Sequence, residues 1–375
     1  MDDPAASSAR LPIYAIIPCA EPITGGVYAD LKIVEQLRAR GWTVEPIFFG
    51  TDDGVASRYR PWDQLKFNFR LMRRLHHAPS GFILLEDQAL SSAVGLANCY
   101  ARRFRGARIG LVTYHLVFNV WRNPVRRYLR RLVEGAVARS ADIVLASSES
   151  TRSELLRLGV REARLTVLRL GLRSVGTDKR PARSKRSDDC ARLLTVGTVE
   201  PRKGLRYLLQ ALGQLSGCRW KLDIVGGFDP EHRAYLTDLA GSLGIAKDVH
   251  FRGRVSDDDL ARFMKDADVY VSPSLAEGFG LAVLEAMSTG LPVIVAASGA
   301  LPELVDHERT GLIVPPADAP AMADAVRRLL DDRSLRSKLG LAAAKAVNGQ
   351  YTWEETGNQV EAALVRLSTD LPRGT

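Results

Sequence analysis

The sequence predicts an α/β protein of two domains, each built on a parallel β-sheet with helices on both faces. Short apolar runs bounded by glycine or proline alternate with segments of helical apolar spacing along most of the chain, which is typical of parallel strands connected by helices. The chain has 375 residues, more than one hydrophobic core usually spans. We therefore expect two doubly wound domains.

Composition predicts where these domains meet. Residues 176–190 are rich in charge, proline, serine and glycine and lack apolar periodicity, so they are interpreted as a linker. The N-terminal domain is then residues 1–175 and the C-terminal domain is residues 191–352. Residues 353–375 are predicted to form a last helix and a tail.

The first domain begins with a buried strand predicted at residues 12–18. A loop at residues 21–26, which ends in Gly25 and Gly26, leads into a helix over about residues 27–40. Further strands are predicted at residues 43–49, 82–86, 108–113, 142–146 and 165–168. The glycine turn lacks G-x-G-x-x-G, which argues against a dinucleotide cofactor, but its backbone N–H groups could still approach a phosphate. The alternative is a plain turn.

His115 follows the strand predicted at residues 108–113. Ligands of such sheets bind beyond the carboxyl ends of the strands, where His115 would emerge. A lone histidine is more often structural than catalytic, so its position alone does not assign it a role.

The second domain repeats the alternation, with strands predicted at residues 192–197, 220–225, 249–252, 269–272 and 292–295. Arg202 and Lys203 come just after the first of these strands, where two adjacent cations would suit a diphosphate. The alternative is a surface basic pair at a helix start, although positive charge there opposes the helix dipole.

Two carboxylates flank a glycine turn further along the second domain. If a helix begins near Phe279, Glu285 lies almost two turns inside it and Glu277 sits just ahead of its first unbonded N–H groups. The helix start would take an anion while the carboxylates accept hydrogen bonds from hydroxyl groups. A nucleotide-sugar is such a ligand. The acidic run at residues 257–259 is interpreted as the first turn of a helix rather than a metal site.

Positive charge is concentrated in the first half of the chain. The net charge is +9, and residues 1–175 hold 26 Lys/Arg against 16 Asp/Glu. Basic residues alternate with apolar or aromatic ones in three places, near residues 67–74, 100–105 and 122–139. Such helices can lie on an anionic bilayer. The alternative is a solvated arginine face over an ordinary core.

Cysteine usage and hydropathy indicate a cytoplasmic protein, with peripheral contact to the cytoplasmic membrane face left open. The cysteines form no C-x-x-C pair, and reduced thiols are the simplest interpretation. The apolar run at residues 11–20 is interrupted by Pro12 and Pro18 and is too short to cross a bilayer. Neither a signal peptide nor a membrane span is predicted.

Several segments together resemble the retaining glycosyltransferases of family four, which have the GT-B fold. They are Thr24-Gly25-Gly26, Glu200-Pro201-Arg202-Lys203-Gly204, Glu277-Gly278-Phe279-Gly280 through Glu285, Gly290-Leu291-Pro292-Val293-Ile294 and Pro302-Glu303-Leu304-Val305. The resemblance implies two Rossmann-like domains facing a cleft. It also implies a reaction that moves a hexose-type sugar from a nucleotide-diphosphate sugar, of UDP or GDP type, to an acceptor hydroxyl.

The resemblance implies a role for each matching residue. The catalytic residues would be His115, Arg202, Lys203 and Glu277, and the donor-binding residues would be Gly25, Gly26, Val255, Phe279, Gly280, Leu281 and Glu285. Arg202 and Lys203 would hold the diphosphate. Glu277 would accept hydrogen bonds from the sugar and Glu285 from the ribose. Gly26 would approach the diphosphate and His115 the transferred sugar.

Retention without an obvious protein nucleophile is usually ascribed to attack on the same face, with the departing diphosphate helping to deprotonate the acceptor. The resemblance implies neither a cofactor nor a catalytic metal, and no nucleic-acid partner is expected. Residues 84–88 and 113–118 depart from the commonest family forms, so a lipid and a glycan both remain open as acceptor. Two other classes remain open: a nucleotide-sugar epimerase or hydrolase of the same fold, and a non-enzymatic anion-binding protein.

Overall fold

The structure is a computed structural model that describes residues 10–21, 24–49, 61–91, 93–116, 118, 123–173, 190–215 and 219–369. These residues form two compact units. Unit 1 contains the described residues up to Gly171 and those from Thr352 onward, and unit 2 contains those from Leu172 to Tyr351. The linker predicted at residues 176–190 lies outside the described residues, except for Cys190.

Unit 1 is built on a parallel sheet of six strands in the order β2-β1-β3-β4-β5-β6. The strands are β1 (Ile13–Ile17), β2 (Val44–Phe48), β3 (Ile83–Asp87), β4 (Arg108–Thr113), β5 (Ile143–Ala146) and β6 (Leu165–Val167). Every residue of β1, β3 and β5 is buried. The sequences of β1 and β5 are continuously apolar because helices cover both faces of a parallel sheet, whereas β3 ends in the buried residues Glu86 and Asp87.

The helices of unit 1 are α1 (Gly25–Ala39), α2 (Pro61–His76), α3 (Gln88–Ser91), α4 (Gly95–Arg105), α5 (Pro124–Ser140), α6 (Glu149–Arg157) and, from the C-terminal segment, α14 (Trp353–Thr369). Two apolar clusters of described residues contribute to its core. One joins Phe67 and Leu71 of α2 to Leu84 of β3, and the other joins Leu155 of α6 to Val144 of β5.

The last helix, α14, packs against α1. Arg40, which directly follows α1, donates to Asn358 Oδ1 at 2.8 Å, and Trp42 Nε1 donates to Glu361 Oε1 at 3.0 Å. The rings of Tyr28 and Trp353 meet edge to face at 5.7 Å. These contacts make the C-terminal helix part of unit 1 although it follows unit 2 in sequence.

Unit 2 also has a six-stranded parallel sheet, in the order β12-β11-β10-β7-β8-β9. Its strands are β7 (Ala191–Val196), β8 (Trp220–Val225), β9 (Val249–Gly253), β10 (Val269–Ser272), β11 (Val293–Ala296) and β12 (Gly311–Val314). Its helices are α7 (Leu205–Leu212), α8 (Pro230–Ser242), α9 (Asp257–Asp266), α10 (Leu281–Ser288), α11 (Leu301–Leu304), α12 (Ala319–Asp331) and α13 (Arg333–Val347). One large apolar cluster holds Leu208, Leu222 and Val326 together.

The predicted fold class is confirmed, since both units are doubly wound parallel α/β structures. Two details of the prediction were wrong. Strand β12, a four-residue strand at the sheet edge, was missed. Helix α1 begins at Gly25, so the two glycines form its first turn rather than a loop before it.

None of the described helices is long and apolar enough to cross a membrane. None of the three described cysteines, Cys19, Cys99 and Cys190, forms a disulfide.

Candidate functional site

The strand order of unit 2 places two loops side by side at the carboxyl edge of its sheet. From β7 the chain continues to β8 on one side, whereas β10, which also neighbours β7, is reached by a crossover from β9. Open α/β sheets bind ligands at such a reversal of strand order. The loops after β7 and β10, residues 197–204 and 273–280, carry five of the residues that the sequence predicted for the site: Arg202, Lys203, Glu277, Phe279 and Gly280.

The predicted basic pair contacts the predicted carboxylate loop directly. Lys203 Nζ lies 2.6 Å from Glu277 Oε2, and the two side chains are only 17% and 14% exposed. Arg202 donates from Nη1 to the carbonyl oxygen of Ala276 at 3.2 Å and pairs through Nε with Glu200 Oε1 at 2.7 Å. The structure therefore brings Arg202, Lys203 and Glu277 into one cluster of charged groups.

Local geometry explains why the two loops lie so close. Arg202 and Lys203 end a short 3-10 helix, Pro201–Lys203, and Gly204 follows with a φ of 66°. A Cβ at Gly204 would overlap the carbonyl oxygen of Pro273. A Cβ at Gly299 would likewise overlap the carbonyl oxygen of Glu277. Only glycine allows both approaches without backbone movement.

Ser274 is part of this cluster although the sequence interpretation did not select it. Its hydroxyl donates to Glu277 Oε2 at 3.2 Å, so the carboxylate is oriented by one cation and one hydroxyl. Ser298 Oγ donates to the Ser274 carbonyl at 2.5 Å and ties the same loop to the segment after β11. The only sequence signal for Ser274 was its spacing of three residues from Glu277.

Glu285 lies one turn inside α10 and is almost completely buried, with 2% of its surface exposed. Burial raises the pKa of its carboxyl to about 7, against the opposing effect of the Arg173 guanidinium, and Asp257 adds a smaller upward contribution. Arg173 lies between the two carboxylates, with Nε 3.4 Å from Glu285 Oε1 and Nη1 3.1 Å from Asp257 Oδ1. Nothing in the sequence pattern pointed to Arg173.

The remaining predicted donor residues of unit 2 surround the start of α10 or the end of β9. Helix α10 begins at Leu281 with Gly280 as its N-cap, so the expected start near Phe279 was two residues too early. Phe279 is buried and meets the ring of Tyr351 edge to face at 6.2 Å. Val255 is half-buried in the segment between β9 and α9. Asp257, the first residue of α9, pairs with Arg173 and so connects this segment to Arg173.

The acidic run at residues 257–259 occupies the first turn of α9, as predicted. Ser256 is the N-cap, and its hydroxyl accepts a hydrogen bond from the backbone N–H of Asp259 at 3.1 Å. Carboxylates at this position favour the helix dipole.

Unit 1 has its own reversal of strand order, between β1 and β3, and the glycine pair lies beside it. Thr24 caps α1 by accepting from the backbone N–H of Val27 at 3.3 Å, so Gly25 and Gly26 form the first turn. The ring of Tyr114, just after β4, lies so close to Gly26 that a Cβ there would come within 3.2 Å of it.

A buried hydrogen bond connects this turn to the strand end that carries His115. Tyr114 donates its hydroxyl to Asp30 Oδ1 of α1 at 2.7 Å, and its carbonyl oxygen accepts from Ser147 Oγ at 2.9 Å. Burial, with a further contribution from the neighbouring Asp87 carboxyl, raises the pKa of Asp30 well above its usual range. His115 follows directly and is half-buried. The sequence places Tyr114 beside His115 at the strand end, but it did not reveal the contact with Asp30, for which the one hint was a charged residue on the apolar side of α1.

We expect Tyr114→Phe to lower the free energy of unfolding of unit 1 by about 1–2 kcal/mol, because it removes the hydroxyl but keeps the ring against Gly26. Urea unfolding followed by circular dichroism measures the change. Tyr128→Phe, which alters an exposed tyrosine, is the matched control and should change little. Equal stability of both variants would show that the buried hydrogen bond contributes nothing.

Two family models match consecutive parts of this chain. The family described as "Glycosyl transferase 4-like domain" matches residues 24–171, and the family described as "Glycosyl transferases group 1" matches residues 177–346. An uncharacterized glycosyltransferase of Methanocaldococcus jannaschii is 38% identical over 182 residues, which is 47% of this chain. A GDP-mannose-dependent alpha-(1-6)-phosphatidylinositol monomannoside mannosyltransferase of Mycobacterium tuberculosis is 34% identical over 253 residues, which is 62% of this chain.

These matches span 46% and 62% of the two relatives' own lengths, less than two thirds in each case. Among solved structures, sucrose-phosphate synthase from Thermosynechococcus elongatus is similar over 96% of this chain and 100% of its own, with a TM-score of 0.79 and 25% identity. The two family matches follow one another along the chain, one on each side of the boundary between the units. This chain belongs to the family four glycosyltransferases and has their GT-B fold.

Proposed function

We propose that this protein is a retaining glycosyltransferase that moves a hexose-type sugar from a nucleotide-diphosphate sugar to an acceptor hydroxyl. The observation that carries the proposal is the cluster of Arg202, Lys203 and Glu277 at the reversal of strand order in unit 2. Two cations beside a carboxylate, at the edge where such sheets bind ligands, suit a donor with a diphosphate and several hydroxyls.

Each group in this cluster has a distinct role in the proposal. Arg202 and Lys203 neutralise the charge that develops on the departing diphosphate, and electrostatic stabilisation of this kind is usually a large part of catalysis. Glu277 accepts hydrogen bonds from sugar hydroxyls. It is preoriented because Lys203 and Ser274 already hold one of its oxygens.

The nucleoside end of the donor is assigned to the start of α10 and the nearby buried carboxyl. Backbone N–H groups at Phe279, Gly280 and Leu281 face the phosphate or sugar, since a helix N-terminus favours an anion. Glu285 binds the ribose hydroxyls, and Val255 lies near the base. The segment that carries Val255 is held to Glu285 through Arg173, which supports this assignment.

Residues of unit 1 complete the proposal. Gly25 and Gly26 offer backbone N–H groups at the first turn of α1, where the helix dipole attracts a phosphate. His115 approaches the transferred sugar. The bond between Tyr114 and Asp30 fixes the strand end that precedes His115 relative to the glycine turn. The departing diphosphate takes the proton of the acceptor hydroxyl. Arg202 and Lys203 neutralise its charge, so a catalytic metal is unnecessary.

The donor is of UDP or GDP type, and the acceptor is a lipid or a glycan. The similarity to a GDP-mannose-dependent enzyme named for a phosphatidylinositol acceptor supports a GDP-sugar and a lipid. A cytoplasmic protein bound peripherally to the membrane would meet both substrates, because a nucleotide-sugar is water-soluble and a lipid acceptor stays in the bilayer.

A panel of UDP- and GDP-sugars tests the proposal. Nucleotide release is measured with and without a lipid extract or a set of glycans, and the product anomer is determined by NMR. Acceptor-dependent release with the donor's anomeric configuration retained is expected. Acceptor-free conversion of the donor would instead indicate an epimerase or hydrolase, and binding without turnover would indicate an anion-binding protein.

A further inference from the structure

The side of helix α5 that carries its large apolar residues faces away from the core of unit 1. Five large apolar side chains recur on one side of its first half, at the spacing of neighbours on a helix surface. They define the α5 apolar stripe, and each is about half exposed or more: Val125 65%, Tyr128 63%, Leu129 56%, Leu132 49% and Val133 45%. A helix of a soluble protein ordinarily buries such a stripe against the core.

The attached side of α5 is instead polar or small. Glu134, Gly135 and Ala138 are its buried residues, and all three lie in the second half of the helix. Glu134 is held there by Arg130 Nε at 2.7 Å. Ala138, with Val137 beside it, joins the apolar core of unit 1, whereas the larger apolar residues of α5 are exposed to solvent. An arginine face over an ordinary apolar core therefore describes only the second half of α5.

Arginines border the stripe. Residues four positions apart lie on the same side of a helix, so Arg126 and Arg130 share one side of α5. Arg127 and Arg131 share the adjacent side. Asn123 caps the helix by accepting from the N–H groups of Val125 and Arg126, so the exposed half is a well-formed helix. The result is an apolar stripe with basic side chains beside it.

The other two basic and aromatic clusters do not share this arrangement. Helix α2 buries Phe67, Leu71 and Leu75 in the core of unit 1 in the ordinary way. In α4, Arg102 is paired with Asp142 at 2.8 Å. Helix α2 exposes Trp62 and Phe69, and α4 exposes Leu96 and Phe104, so each exposes two large apolar side chains where α5 exposes five.

We propose that the α5 apolar stripe docks on an anionic lipid bilayer. Leu129, Leu132 and their neighbours would enter the acyl boundary while the arginines pair with anionic headgroups, a pattern typical of helices that lie in the membrane interface. Charge complementarity favours this occupant. A second copy of the chain would bring its own arginines against these, whereas an anionic bilayer offers opposite charge along the whole stripe.

Docking through the α5 apolar stripe would bring the protein to a lipid acceptor, so its role in catalysis rests on the proposed function. Docking itself needs no donor, so it can be tested separately. The full chain is mixed with vesicles of phosphatidylcholine alone, or with added phosphatidylglycerol, at low and high salt, and the bound fraction is measured by flotation. We expect binding to the anionic vesicles at low salt and a clear loss at high salt.

Leu129→Glu combined with Leu132→Glu should weaken binding to anionic vesicles about tenfold or more, because two exposed apolar anchors become anions. Arg126→Gln combined with Arg127→Gln should weaken it about tenfold, since each basic group near the surface contributes to binding. Leu341→Glu alters the most exposed large aliphatic residue of unit 2 and should bind like the wild type. Because all these side chains are exposed, thermal unfolding should be nearly unchanged.

Two results would overturn the docking proposal: no binding of wild-type protein to anionic vesicles at low salt, or equal binding by the Leu129→Glu, Leu132→Glu variant. A dimer in solution that this variant dissociates would assign the stripe to a second copy instead. Acceptor-dependent nucleotide release in detergent, without vesicles, separates the two proposals. If release continues while vesicle binding fails, only docking is wrong; if binding persists without release, the proposed function is wrong.

Discussion

Lys203→Ala should lower turnover at least tenfold with saturating donor, a loss of ~1.4 kcal/mol or more of transition-state stabilisation. The ammonium group lies at the ligand edge of the sheet and is mostly buried, so its charge is screened less than that of a surface lysine. In the proposed reaction its positive charge would stabilise the negative charge that grows on the departing diphosphate. Because that charge is larger in the transition state than in the ground state, the effect should appear in kcat.

The control variants separate this role from a structural one. Removing Lys203 also leaves Glu277, which is 14% exposed, without its cation, so thermal unfolding is measured alongside turnover. Lys203→Arg keeps the charge and should recover part of the lost kcat. Lys265→Ala removes an exposed lysine of α9 and should behave like the wild type. Near-normal turnover of a folded Lys203→Ala enzyme would contradict the assignment of Lys203 to the diphosphate.

The strands and most helices were predictable because their signals are local. An apolar run such as Ile13–Ile17 is buried on both faces, and a capping residue such as Ser256 fixes a helix start within a few neighbours. The close approach of Lys203 to Glu277 was also within reach, since both follow strands of one parallel sheet. Its physical basis is that carboxyl ends of parallel strands meet at the same edge.

The contacts that sequence did not reveal are those between distant segments without a repeated spacing. Arg173 reaches Glu285 across more than one hundred positions, and the bond from Tyr114 to Asp30 spans 84. The orientation of α5 was unpredictable for a different reason. Periodicity shows that a helix has an apolar side but not which way that side faces, and here Glu134 rather than Leu129 is turned toward the core.

Glu285→Gln should change the pH dependence of stability, with the wild type losing stability relative to the variant as pH rises. Burial raises the pKa of the folded carboxyl to about 7 from 4.5. Below the lower value both states are protonated and the group contributes nothing. Between pH 4.5 and about 7 the unfolded chain releases its proton while the folded protein keeps it, which favours unfolding. The full loss above pH 7 is about 3 kcal/mol.

Urea unfolding of wild type and Glu285→Gln at pH 5 and pH 8 measures this difference. Burial also raises the pKa of Glu86 to about 8, but the effect of Glu86 on stability cancels in the comparison because both proteins contain it. Glu308→Gln is a control whose own pH dependence lies below this range. The Arg328 guanidinium lowers the pKa of exposed Glu308 from 4.5, so that group loses its stabilising effect only as pH falls below 4.5, and the stability difference between wild type and Glu308→Gln should be the same at pH 5 and pH 8. A stability difference between wild type and Glu285→Gln that is the same at both pH values would show that Glu285 is ionised throughout. Arg173 would then outweigh burial, and the carboxylate would be available to ribose hydroxyls across the whole range.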